Sequence, residues 1–65
     1  MIPAVIEEAI AKVQGKILQC KSVCEGSRHY IVTFTAPADL TAVEGAASFA
    51  QLQKETFRVH FILEN

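Results

Sequence analysis

The stretch TAVEGAASFAQLQK, residues 41–54, decides how this chain is read. Val43, Ala46, Ala47 and Ala50 recur at a 3.6-residue period, with Phe49 and Leu52 at the flanks, and this spacing predicts a helix from Thr41 to Lys54. Thr41 followed three residues later by Glu44 fits a capping box, in which each side chain accepts from an otherwise orphan backbone N–H. Asp39 is a competing cap. Gly45 costs such a helix about 1 kcal/mol relative to alanine, and a glycine among alanines permits close approach to a sheet.

On either side of this stretch the period changes from 3.6 to 2. Thr56 to Leu63 alternates strongly: Phe57, Val59, Phe61 and Leu63 point one way, and Arg58, His60 and Ile62 the other. Arg28 to Thr35 is rich in β-branched and aromatic residues and reads as a strand, with Tyr30, Val32 and Phe34 on one face and His29, Ile31, Thr33 and Thr35 on the other. Pro37 ends it, because proline cannot continue a central ladder. Lys16 to Val23 reads as another strand, and the turn signal Glu25-Gly26-Ser27 joins the two as a β-hairpin. Within Lys16 to Val23, Leu18 and Cys20 share one set and Ile17, Gln19 and Lys21 the other.

Towards the N-terminus, Ile2, Ile6, Ala9, Ile10 and Val13 make one helical stripe over Ile2 to Gln14. Pro3 suits a first helical turn, where its missing N–H costs nothing. Glu7 and Glu8 lie in the N-terminal half and Lys12 near the other end, as the helix dipole prefers. Gly15 supplies the expected left-handed stop.

The element order is then α-β-β-α-β. Residues 1–65 form a single α+β domain, with two helices packed on one face of a three-stranded, mainly antiparallel sheet. Strand order 2-1-3 makes all neighbours antiparallel; order 1-2-3, with one parallel pair, stays open.

Composition narrows the function classes. A domain of this size buries only about 60% of the surface its unfolded chain exposes. The chain is nevertheless 51% hydrophobic, with a mean hydropathy of +0.27, so apolar side chains must lie at the surface or under a partner. The net charge is −1, without the basic excess of a protein that works through phosphate contacts. No apolar run approaches the about 18 residues of a membrane span. Glu7 and Glu8 stand where a signal peptide would be apolar, and two cysteines are too few for a disulfide scaffold. The expected location is cytoplasmic, with reduced thiols.

The helices need a large apolar surface, which assigns the aromatic set to the inward face. The outward face then carries Ile17, Gln19, Lys21, Ile31, Thr33, Arg58, His60 and Ile62, along with His29 and Thr35. Three isoleucines among polar and basic residues have the anatomy of an interface, an apolar centre with a polar rim. The competing explanation is that isoleucine is there for β-propensity alone. An edge strand, the last one above all, offers a second route to a partner by extending its sheet.

Candidate chemistry is thin. Cys20, Cys24, His29 and His60 supply the ligand types of a two-Cys, two-His zinc site. The histidines fall on different strands, no helix carries both, and Cys20 belongs to the inward set, so no metal is assigned. A Cys20–Cys24 disulfide fits poorly across an extended strand. Cys24 and His29 flank the hairpin turn as a conceivable nucleophile and base, but neither oxyanion donors nor a cleft accompany them. Glu7 and Glu8 diverge on a helix and form a solvated face. Three scattered glycines make no phosphate-binding loop. Two histidines on one face could make a surface that responds to pH.

The sequence points to a non-catalytic protein–protein interaction module without a cofactor or small-molecule substrate. We expect a homodimer formed through the open sheet face or an edge strand, or a small regulator or inhibitor of another protein. The alternatives are a nucleic-acid-binding module using Lys21, Arg28, His29, Arg58 and His60, and a small structural subunit of a larger assembly.

Overall fold

The computed structural model describes residues 2–23, 26, 28–37 and 39–63. It contains a helix α1 (Ala4–Ala11) and strands β1 (Lys16–Ser22), β2 (His29–Thr35), β3 (Ser48–Gln53) and β4 (Thr56–Ile62). The strands form one sheet in the order β1-β2-β4-β3, and every neighbouring pair is antiparallel.

This overturns the second helix and the three-stranded sheet. Residues 41–47 are irregular, and Ser48–Gln53 is a strand. Gly45 is the local reason: its φ of +86° lies in the left-handed region and breaks any helix passing through it. A single turn closed by Ala46 N–H donating to the Val43 carbonyl (3.1 Å) replaces that helix. Pairing across the sheet then outweighs helix propensity, which is a weak local preference. Ala47 N–H donates to the His60 carbonyl at 2.7 Å, and Phe49 is set opposite Val59, its ring 5.6 Å from that of Phe57. Glu44 makes no cap. Its carboxylate meets Lys12 Nζ at 3.2 Å, in an exposed pair of little energetic weight.

Strand order changes for the same reason. The expected helical crossover is a hairpin instead, in which β3 turns through Lys54 and Glu55 into β4. Gln51 Nε2 donates to the Lys54 carbonyl across this turn. The last strand therefore lies beside β2 rather than β1, and antiparallel to it.

The aromatic face is inward, as the alternation requires. Val32, Phe34, Phe57, Val59 and Phe61 are buried, with the Phe34 and Phe57 rings stacked at 5.6 Å. Ile6 and Ile10 of α1 cover one part of this face. Ala36 and Val43, from the segment between β2 and β3, cover the part assigned to a second helix.

α1 is shorter than its stripe and ends differently from expectation. Its exit is held by Gly15 N–H on the Ile10 carbonyl and Gln14 N–H on the Ala11 carbonyl, the paired bonds of a Schellman motif. The left-handed residue is Gln14 (φ 57°), not Gly15. Gly15 is needed for closeness instead: a Cβ there would lie 2.6 Å from Ile10 Cγ2 and 2.9 Å from Phe34 Cδ2.

Candidate functional site: the open face of the sheet

Among the described residues, neither α1 nor the segment between β2 and β3 packs on the second face of the sheet. Its side chains follow from the register. Lys21 lies opposite Ile31, Ile31 opposite His60, and His60 opposite Ser48. One step along, Gln19, Thr33, Arg58 and Ala50 make a second row. His29 faces Ile62 at one end, and Lys16 faces Thr35 at the other.

Seven of the eight interface candidates lie on this face: Gln19, Lys21, Ile31, Thr33, Arg58, His60 and Ile62. Ile17 does not. β1 bulges between Ile17 and Gln19, which sets Ile17 opposite the buried Phe34 and packs it against the core. Leu18, expected inward, is 57% exposed. Strict alternation fails at a bulge because the extra residue shifts every side chain before it to the other face. The apolar component is therefore Ile31 and Ile62, both exposed, with Ala50 on the edge strand β3 and Leu18 at the bulge.

The described carboxylates lie away from this face, and there Lys12 and Lys54 accompany Glu44 and Glu55. Among the described residues, this face carries Lys16, Lys21, Arg58, His29 and His60 and no carboxylate. Glu7 and Glu8 belong to α1, Asp39 and Glu44 to the 36–47 segment, and Glu55 to the β3–β4 turn. An open depression of about 320 Å³ lies over β3 and β4, lined in part by Ile31, Ser48, Ala50, Arg58 and His60.

His29 and His60 come together on it. They are diagonal neighbours on the two central strands, a relation that brings long side chains within reach. His29 Nδ1 lies 3.3 Å from His60 Nε2, and the ring centroids are 5.3 Å apart at a 46° tilt. Sequence alternation put both on one face, but their diagonal relation depends on β4 pairing with β2.

The remaining candidates do not assemble into a site. Cys20 lies opposite Val32 and packs against the core, and burial pushes its thiol pKa up. Such a thiol is a poor nucleophile at neutral pH. The suggestions involving Cys24 (zinc ligand, disulfide, partner of His29) fall outside the described residues. Among the described residues, no three His, Cys, Asp or Glu side chains gather as a metal cluster. No helix among them is long and apolar enough to cross a membrane. No known protein family, curated protein or solved structure matches the chain.

Proposed function

We propose that this protein is a non-catalytic, cytoplasmic interaction module that binds an acidic protein surface through the open face of its sheet. The observation that carries this is the charge of the open face on a chain of net charge −1: among the described residues, its charged and titratable side chains are all basic and surround exposed Ile31 and Ile62. An apolar centre within a cationic rim suits a partner with the complementary pattern, and the charges would speed and orient its docking.

Self-association through this face is less favourable, because a two-fold interface sets the same patch against itself and opposes Lys21 and Arg58 to like charges. The edges favour the face too. β1 bulges between Ile17 and Gln19, and β3 between Gln51 and Gln53, and bulged edges are poor templates for adding a strand. A nucleic-acid partner is the second reading, supported by the same cationic face. Against it, the aromatic rings that would stack bases (Phe34, Phe57, Phe61) are buried beneath the helix side.

The test places a photo-crosslinking amino acid at Thr33, on the second row of the face, in cells of the native host. Crosslinks to acidic segments of another protein, lost with Arg58→Glu, are the expected result. Crosslinks to RNA would transfer the function to the second reading. Crosslinks to another copy would restore the homodimer, and light scattering would show whether that assembly closes or grows with concentration, as a structural subunit would.

A further inference from the structure

We propose that His29 and His60 together bind one divalent late transition-metal ion, of the zinc, nickel or copper class. The geometry carries this, and it departs from the sequence expectation of no metal. Imidazole nitrogens hold zinc at about 2.05 Å. With bonds of that length, the 3.3 Å between His29 Nδ1 and His60 Nε2 corresponds to an N–metal–N angle of about 107°, close to the tetrahedral value. The two nitrogens share a hydrogen bond, which a bound ion would replace, and already have the separation of two ligands on one ion.

Both histidines belong to paired strands. Ile31 pairs with His60 and His29 with Ile62, within the ladder joining the two central strands. The ligands therefore stand on the two central strands, at the end of the ladder where β2 begins. His29 is exposed and His60 half-buried, so an ion could enter from solvent and keep its remaining positions for water or for a side chain of a docked partner.

The surroundings select the class of ion. Lys21 and Arg58 share the face, and no carboxylate faces the pair among the described residues. Calcium and magnesium seek several hard, mostly anionic oxygen donors, and the described residues of this face offer none that is charged. Imidazole suits zinc, copper and nickel, whose bonds to nitrogen tolerate nearby positive charge better than a purely ionic site would. The pair sits beside the depression over β3 and β4, and His60 lines it, so a bound ion would lie within the proposed docking face.

Calorimetric titration of the full chain with Zn²⁺ tests this, with nitrogen NMR of labelled histidine rings. One saturable equivalent is expected, with the largest shifts at His29 Nδ1 and His60 Nε2. A second ligand held in place adds on the order of 10²-fold by effective concentration, so His29→Gln and His60→Gln should each weaken binding by about that factor. Both positions have solvent access, and an unchanged circular dichroism spectrum would show the variants folded. Cys24→Ser should still show the histidine shifts. Absence of saturable binding, binding that survives both histidine substitutions, or binding that depends on Cys24 but on neither histidine would overturn the assignment. The test is independent of the docking partner, since it needs only the ion.

Discussion

Alanine at position 15 would bring a methyl group 2.6 Å from Ile10 Cγ2 and 2.9 Å from Phe34 Cδ2. Both neighbours are side chains in the fully buried core, at 1% and 0% exposure, so neither can swing into solvent to make room. Overpacking of this kind costs about 1–3 kcal/mol. Gly15 is not in the left-handed region, so alanine adds no backbone strain. It would even stabilise by about 0.4–1 kcal/mol through a less disordered unfolded chain. A 2.6 Å contact excludes the mild end of that range, and with a cost of about 1.5–3 kcal/mol the net expectation is a loss of about 0.5–2.6 kcal/mol. For a domain of this size each kcal/mol moves Tm by about 4–8 °C, so thermal unfolding followed by circular dichroism should show a drop of about 2–20 °C. Ile10→Leu removes the Cγ2 branch and should relieve part of the clash. In the double-mutant cycle, Gly15→Ala should therefore cost less in the Ile10→Leu background, with a coupling above about 0.5 kcal/mol. Gly26→Ala serves as the control, because nothing lies within 4 Å of a Cβ there and its φ of +79° leaves only backbone strain. An unchanged or raised Tm for Gly15→Ala, or full additivity with Ile10→Leu, would refute the packing described between α1 and β2.

Gly45→Ala separates the two readings of residues 41–54 by sign. A helix would gain about 1 kcal/mol, whereas the observed φ of +86° predicts a loss of about 1–2 kcal/mol in urea denaturation. Gln14→Gly should raise stability by about 1 kcal/mol by the same measurement, since Gln14 holds the left-handed position at the end of α1. For Cys20, burial raises the folded-state thiol pKa above its unfolded value. The folded state then holds its proton longer, so stability is full at and below neutral pH and declines as pH rises through the alkaline thiol range. Cys20→Ala should flatten that decline, and in a Cys24→Ser background Cys20 should react with iodoacetamide more slowly than a free thiol at about pH 8.

Much of the fold was legible where side-chain chemistry and period agree. Phe57, Val59 and Phe61 alternate too strictly for any element but a strand, and Val32 and Phe34 match them across the ladder. Ile6 and Ile10 mark the buried side of α1 at helical spacing. Residues 41–54 were misread because alanine is compatible with either element. A stripe of small residues carries little burial energy, so local spacing there says little about which state wins. The discriminating residue was Gly45, which reads as a modest penalty in a helix and proves to be a left-handed turn. The displacement of Ile17 into the core depends on a bulge, and bulges leave no mark on the alternation until the partner strand is known. For the candidate site, the membership of the open face was visible for seven of its eight residues. The meeting of His29 with His60 was not, because it follows from a pairing between segments 31 residues apart. The same holds for the lack of described carboxylates on that face, since composition sums over both faces.

The sheet consists of two hairpins, β1–β2 and β3–β4, fastened along the single ladder between β2 and β4. Residues 36–47 are the sole covalent link between them in the described structure. That ladder is indifferent to whether its strands belong to the same polypeptide. Two copies could exchange their second hairpins and rebuild every β2–β4 bond in trans, giving an intertwined dimer with the same cores. Cutting the chain within the link should likewise leave two fragments that recognise each other, each hairpin being marginal alone and completed only by its counterpart.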